Sequence, residues 1–147
     1  MHRNIKHIVL DYNGTLAKDG ILKEDAKRLL PLLAQQYTLH VITADTFGSV
    51  KKELKDFDLH VKVLQSNDHT LEKEAYIRTL HVKECAAVGN GNNDVRMLQE
   101  AAIGICLLGD EGCSTKTLLA SDIVCKSLSE ALELFLYPKR LIATLRI

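Results

Sequence analysis

The sequence predicts an α/β fold of three layers, with a central parallel sheet covered by helices on both faces. Short runs of branched apolar residues alternate along the chain with longer segments of helical periodicity, an alternation typical of parallel sheets. Several runs end in polar segments containing Asn and Gly, where α/β folds place their ligands. The 147 residues suit a single domain, 1–147, and 46% apolar residues suffice for a full core.

Charge and composition exclude several classes of partner. Lys and Arg total 19, as do Asp and Glu, so no global field attracts nucleic acid or an acidic membrane. No segment approaches the ~20 apolar residues needed to span a bilayer, and the polar start, Met1 to His7, predicts no secretory signal. We expect a cytoplasmic protein with no nucleic-acid or membrane partner, whose near-neutral charge favours self-association.

The cysteines indicate a reducing compartment. Neighbouring cysteines lie at least seven residues apart, at Cys85, Cys106, Cys113 and Cys125. Because no Cys-x-x-Cys pattern occurs, neither a zinc knuckle nor a redox pair is predicted. Three of the four lie in apolar, strand-like runs, and we expect them to be buried thiols.

The first strand leads into the most informative segment. Ile5 to Leu10 predicts a buried strand, and residues 11–16, Asp-Tyr-Asn-Gly-Thr-Leu, follow it with a sharp Asn-Gly turn. The turn leaves Asp11 at the carboxyl edge of the sheet, where a carboxylate can accept a phosphoryl group. Thr15 to Leu22 contains the turn signal Lys-Asp-Gly and predicts a small hairpin flap over this edge.

The next segments continue the alternation. Asp25 to Gln36 has apolar residues at helical spacing, and Pro31 should kink or divide this helix. The predicted elements that follow are the strand Leu39–Thr43, the helix Ser49–Phe57 with a solvated lysine cluster, the strand Val61–Leu64, the helix Thr70–Leu80 with Ala75, Ile77 and Leu80 facing inward, the strand Cys85–Val88, the helix Val95–Ala102, the strand Ile103–Leu108, the helix Ser114–Ala120 and the strand Asp122–Cys125.

The C-terminal segment predicts one more helix and a tail. Ser127 or Ser129 caps a helix that runs to Tyr137 and is interrupted at Pro138. The tail, 138–147, mixes apolar and basic residues. Docking on the protein's own core and docking on another subunit both remain open.

Three further positions could bind an anion beside Asp11. Thr43 closes the second strand, and the turn beginning at Ala44 offers backbone amides. Lys73 lies early in the helix before the fourth strand, with Lys83 as the alternative cation. Residues 89–94, Gly-Asn-Gly-Asn-Asn-Asp, follow that strand with a tight backbone, but they lack the third glycine of a dinucleotide loop.

These four segments, in this order, resemble the motifs of the haloacid dehalogenase (HAD) superfamily, whose domains have a Rossmann-like (Rossmannoid) fold. The Asp-x-x-Gly-Thr-Leu pattern is most similar to the phosphorylation domains of P-type ATPases and their soluble relatives. A chain without membrane helices cannot itself be a pump. The resemblance implies a phosphatase or other hydrolase that uses Mg²⁺ and forms an aspartyl phosphate on Asp11.

The resemblance also implies a role for each matching residue. Asp11, Asn13, Thr43 and Lys73 would form the catalytic set. The phosphate would be bound by Thr43, Ala44, Lys73 and Asn93, and the metal by Asp11, the backbone carbonyl of Asn13, Asn90 and Asp94.

Two asparagines depart from the family pattern, in which Asp is usual at positions 13 and 90. Asp at position 13 would protonate the leaving group and activate water, and losing such a group typically slows a reaction by ~10²–10⁴-fold. We therefore expect a slow enzyme that prefers good leaving groups, and the neutral Asn90 predicts weaker Mg²⁺ binding. One alternative is a catalytically weakened regulatory module that binds phosphate or a phosphoprotein. Another is an enzyme completed by deamidation of the two Asn-Gly pairs.

The spacing between motifs leaves no room for a cap domain. Thr43 lies 32 residues after Asp11, and Lys73 lies 30 residues after Thr43. Predicted helices and strands fill both intervals. A capless site is open to water, so we expect a phosphorylated macromolecule, or a homo-oligomer acting on a phosphorylated small molecule, to cover it.

Overall fold

The computed structural model describes residues 4–147 as alternating strands and helices. Residues 1–3, part of the polar start that predicts no secretory signal, lie outside this range. The strands are β1 (His7–Asp11), β2 (Ala17–Lys18), β3 (Ile21–Leu22), β4 (Thr38–Thr43), β5 (His60–Val63), β6 (Cys85–Gly89), β7 (Ile103–Leu107) and β8 (Ile123–Cys125). The helices are α1 (Glu24–Ala34), α2 (Ser49–Glu53), α3 (His69–Arg78), α4 (Val95–Glu100), α5 (Thr115–Ala120), α6 (Leu128–Leu136) and α7 (Pro138–Leu145).

Six strands form the predicted parallel sheet, in the order β5-β4-β1-β6-β7-β8. Side chains alternate between the faces of a strand. Ile8 and Leu10 of β1 accordingly join one apolar cluster, and Val9 joins another. Helices α1 and α6 pack together on the first cluster, and α3 packs with α4 on the second. The three-layer α/β prediction is confirmed.

The small hairpin after β1 is also present as predicted. Strands β2 and β3 pair in antiparallel fashion, and the turn residues Asp19 and Gly20 both have positive φ, at 53° and 82°. The Tyr12 hydroxyl donates a hydrogen bond of 3.1 Å to the carbonyl of Gly20 and ties the hairpin to the end of β1. Within residues 4–147, no larger insertion separates β1 from β4 or β4 from α3.

One detail of the predicted helices is wrong, and one alternative for another is excluded. Of the kink or division predicted at Pro31, division does not occur, because α1 continues through this residue. Pro31 and Lys27, four residues earlier, are both exposed, so the carbonyl that loses its partner can face water. In α3 the predicted inward residue Ala75 is exposed, whereas Lys73 and Ile77, one turn apart, are buried.

The tail packs on the protein's own core. Pro138 occupies the first turn of α7, where its missing N–H costs nothing. Leu141 is buried in the larger apolar cluster, and α7 packs against α6. Docking on the core is therefore seen within the single chain, and docking on another subunit stays a prediction.

The expectation of buried thiols is wrong for one of the three cysteines in strand-like runs, Cys106. Cys106 and Cys113 form a disulfide, because the loop after β7 folds back through a bridge between Gly109 and Gly112. Cys85 and Cys125 are buried thiols as expected, and burial raises the pKa of each to about 11. No helix within residues 4–147 is long and apolar enough to cross a membrane.

A buried histidine lies at the centre of a polar cluster on the sheet. The two ring nitrogens of His40 lie 3.0 Å from Nδ1 of His7 and 2.7 Å from the hydroxyl of Tyr76. The ring also stacks on His60, with centroids 5.3 Å apart. Burial, and then the neighbouring His7 and His60, lower the pKa of His40 to about 4. The folded protein therefore keeps His40 neutral at pH values where the unfolded chain protonates it.

We expect this histidine to destabilise the fold in acid. Between pH 6.5 and 4 the unfolded chain binds the extra proton, so the free energy of unfolding should fall by about 3 kcal/mol from this group. Urea unfolding of the wild type and of His40→Gln across this range measures the effect. The glutamine keeps a hydrogen-bonding side chain but cannot titrate, so its curve should fall less steeply, and parallel curves would contradict the assignment.

Candidate active site

The polar residues predicted to act together lie at adjacent strand ends. Strand β1 pairs with β4 on one side and with β6 on the other, so Asp11, Thr43 and Asn90 meet at one edge of the sheet. They border a cavity of about 240 Å³. Its lining consists of Asp11, Asn13, Thr43, Ala44, Leu64, His69, Lys73, Asn90, Gly91, Asn93 and Glu111.

The turn after β1 holds the Asp11 carboxylate at the cavity. Gly14 has a φ of 80°, and its N–H donates to the carbonyl of Ala17 at 2.9 Å. A Cβ atom at Gly14 would lie 2.8 Å from both Asn90 Nδ2 and Glu111 Oε2, so both conformation and space require glycine. The Thr15 hydroxyl lies 3.4 Å from Asp11 Oδ2 and donates to it.

Lys73 is the cation that the structure brings to Asp11. Its Nζ donates to Asp11 Oδ1 at 3.0 Å, to Asn93 Oδ1 at 2.9 Å and to Asp94 Oδ1 at 2.8 Å. Only 3% of the lysine side chain is exposed. The alternative, Lys83, is exposed and does not line the cavity.

Asp94 supports the site from behind. Its Oδ1 accepts from Lys73, and its Oδ2 accepts from the backbone N–H groups of Asn90 and Gly91 at 3.0 and 3.1 Å. The residue is wholly buried and does not line the cavity. A Cβ atom at Gly89 would lie 2.5 Å from the Asp94 carboxyl, so the close approach requires glycine. Asp94 is thus placed to orient Lys73 and the loop, and the metal role that the resemblance implies for it stays a prediction.

Burial dominates the electrostatics of the nucleophile candidate. Burial, and then the charge of Asp94, raise the pKa of Asp11 to about 7, although Lys73 and Thr15 oppose the shift. Burial also disfavours the charged form of Lys73, but the two carboxylates outweigh it and raise the pKa of that lysine. Lys73 therefore stays charged, and anything that adds positive charge at Asp11 favours the carboxylate.

The loop after β4 offers groups for an anion. Thr43 is buried at the cavity, and its Oγ1 accepts the N–H of Asp45 at 3.1 Å. The Asp45 carboxylate in turn accepts from the N–H groups of Phe47 and Val50, both at 3.0 Å, and holds the loop in place. Ala44 is exposed at the cavity edge.

The donor set at this edge suits a hard cation. The carboxylate of Asp11, the backbone carbonyl of Asn13 and the side-chain oxygen of Asn90 are the oxygen ligands that Mg²⁺ prefers. No group of three or more His, Cys, Asp or Glu in residues 4–147 is arranged to hold a metal. A bound cation would thus depend on carbonyl and amide oxygens as well as on carboxylates.

Sequence reasoning missed two ionisable residues that line the cavity, Glu111 and His69. Glu111 lies in the Gly109–Gly112 turn that follows β7, and His69 begins α3. The rule that ligands gather at the carboxyl ends of parallel strands could have located Glu111. No spacing in the sequence marks His69.

Comparisons with known proteins identify relatives and a common fold. No family model matches the sequence. Uncharacterized protein MJ0073 of Methanocaldococcus jannaschii is 53% identical over 64 residues, which are 44% of this chain and 69% of that protein.

Solved structures cover nearly the whole chain. The 3-deoxy-D-manno-octulosonate 8-phosphate phosphatase of Moraxella catarrhalis, in complex with magnesium, phosphate and a KDO molecule, has a TM-score of 0.74 at 21% identity and covers 98% of this chain and 95% of its own. A putative HAD superfamily (subfamily III A) hydrolase of Legionella pneumophila has a TM-score of 0.75 at 17% identity, covering 97% and 88%. At these identities the likeness establishes the fold. The likeness to P-type ATPases stays a prediction from the sequence.

We expect loss of Lys73 to destabilise the protein. Lys73→Met leaves Asp11 and Asp94 buried without a counter-ion, which typically costs about 3–5 kcal/mol. The matched control is Lys83→Met, which removes an exposed lysine and should change the free energy of unfolding by less than about 0.5 kcal/mol. Urea denaturation at pH 8 compares the two, and equal losses would show that Lys73 is not the structural cation of the site.

Proposed function

We propose that this chain, which belongs to the same family as the Methanocaldococcus jannaschii protein MJ0073 and has the fold of the HAD superfamily, is a phosphohydrolase that acts through an aspartyl phosphate on Asp11. The observation that carries the proposal is the contact of Lys73 with both Asp11 and Asp94 at a cavity formed by three adjacent strand ends. This contact places the Asp11 carboxylate, the proposed nucleophile, beside the fixed positive charge of Lys73.

The residues around Asp11 fit the two steps of such a reaction. An Asp11 oxygen attacks phosphorus, the bond to the leaving oxygen breaks, and the aspartyl phosphate forms. Water then attacks that phosphorus, releases inorganic phosphate and restores the carboxylate. Lys73 would neutralise charge in both steps. Since Asn93 Oδ1 accepts from Lys73, the amide N–H groups of Asn93 can face the phosphoryl oxygens together with the Thr43 hydroxyl and the Ala44 N–H.

The metal would be held by Asp11, the backbone carbonyl of Asn13 and the side chain of Asn90. The Nδ2 group of Asn90 donates to the Gly112 carbonyl at 3.3 Å, so its Oδ1 is the atom left for a cation. Mg²⁺ at this place would lower the repulsion between Asp11 and an incoming phosphate. It would also favour ionised Asp11, whose pKa is about 7 without it.

Asn13 determines which substrates react well. Its side chain is exposed at the cavity, but an amide neither protonates an alkoxide nor activates water. Aryl and acyl phosphates, whose leaving groups need no proton, should therefore react fastest. A phosphorylated small molecule is the favoured class, because a protein of similar fold binds phosphate together with KDO.

A second candidate is a module that binds phosphate without turning it over. The observation that favours it is the presence of amides at both Asn13 and Asn90, where the family usually has acids.

Deamidation of the two Asn-Gly pairs would restore those acids, and peptide mass spectrometry showing intact asparagine at both positions would eliminate that route.

The test is Mg²⁺-dependent hydrolysis of p-nitrophenyl phosphate, acetyl phosphate and a simple alkyl phosphate. We expect slow turnover of the first two, no turnover by Asp11→Asn, and a gain with Asn13→Asp that is largest for the alkyl phosphate and reaches about 10²–10⁴-fold. Phosphate release and acid-stable ³²P labelling of the protein measure the two steps.

The control for folding is thermal unfolding of each variant, because Asp11→Asn changes charge but little volume. Wild-type inactivity at saturating Mg²⁺, together with phosphate binding by calorimetry, would support the binding module instead. Equal rates on alkyl and aryl phosphates would contradict the role of Asn13.

A further inference from the structure

Glu111 brings an unneutralised carboxylate to the proposed metal site. It lines the cavity with Asp11 and Asn90. Its Oε2 and the Asn90 Nδ2 both lie 2.8 Å from the position that a Cβ atom would take at Gly14. Among the described residues, 4–147, its carboxylate has no hydrogen-bond or ion-pair partner.

The loop that carries Glu111 is fixed to the site at several points. The disulfide joins Cys113 at its end to Cys106 in β7. The Ser114 N–H donates to the Asn90 carbonyl at 2.8 Å, and the Asn90 side chain donates to Gly112. On the other side, Asp110 forms an ion pair with Lys23 at 3.1 Å. Glu111 is thus presented by an ordered turn, whereas its neighbour Asp110 is directed to a different partner.

The balance of charges at this edge of the sheet favours the binding of a cation. Lys73 is already shared between Asp11 and Asp94. Asn13 would supply a backbone carbonyl and Asn90 an amide oxygen, so Asp11 would be the single anionic ligand of the site. Divalent cations bind more tightly as carboxylates are added, and Glu111 is the carboxylate that lines the cavity together with Asp11.

We propose that Glu111 is the second carboxylate of the divalent-cation site and supplies the negative charge that Asn90 lacks. The inference rests on the proposed function, in which Asp11 and Asn90 hold the cation. It deepens that function because it explains how a site with two asparagines keeps enough negative charge to bind Mg²⁺.

The experiment is titration of the full chain with Mn²⁺ alone, with the signal of free Mn²⁺ followed by electron paramagnetic resonance. We expect Glu111→Gln to weaken binding by about 10- to 100-fold, the range found when a supporting group of a metal site is removed. The matched control is Asp110→Asn, which makes the same charge change one residue away and should alter the Kd by less than about threefold. Glu111→Asp keeps the charge and should recover part of the affinity.

Metal-free thermal unfolding separates this role from a structural one. Glu111→Gln should not lower the metal-free Tm, because the glutamate side chain makes no hydrogen bond or ion pair within the described residues. The stabilisation by added Mn²⁺ should shrink in that variant.

The outcomes distinguish the two proposals. If Asp11→Asn weakens Mn²⁺ binding while Glu111→Gln binds like the wild type, the role of Glu111 is overturned and the proposed function stands. If Glu111→Gln and Asp110→Asn lose affinity equally, the effect is general electrostatics and the assignment also fails. If the wild type binds no Mn²⁺, the Glu111 inference fails together with metal dependence, while metal-free phosphate release still tests Asp11.

Discussion

The buried contact of Lys73 with Asp11 and Asp94 is the interaction on which the rest of the site depends. Two carboxylates at this depth are tolerable only with a cation between them, and the lysine is almost wholly buried. The same contact fixes α3 against β1 and, through Asp94, orders the loop after β6. Stability and the proposed chemistry therefore rest on one ammonium group.

Sheet topology converts this contact into a site. Because β1 lies between β4 and β6, three segments far apart in sequence end side by side. Glycine at positions 14 and 89 allows the backbone to approach Asn90, Glu111 and the Asp94 carboxyl closely. The parallel sheet thus supplies the geometry, and the loops supply the chemistry.

The loop after β7 adds what the recognisable motifs omit. Asn13 and Asn90 stand where the family usually has acids, so these motifs bring fewer carboxylates to the cavity. Glu111 adds a carboxylate there from a segment that belongs to none of the motifs. The disulfide and the backbone bonds to Asn90 hold that segment in place. When a motif residue departs from the family pattern, all the loops at the same edge of the sheet should therefore be searched for a side chain that replaces it.

The sequence alone determined the α/β alternation, the hairpin and the candidates Asp11, Thr43 and Lys73, because periodicity, turn residues and motif order are local features. Tertiary structure decided the choice of Lys73 over Lys83, the supporting position of Asp94, the Cys106–Cys113 pair and the place of Glu111. These depend on which segments meet in space. A hydrophobic pattern specifies which face of its own helix or strand a residue occupies. It does not specify which residue of another helix or strand lies beside it.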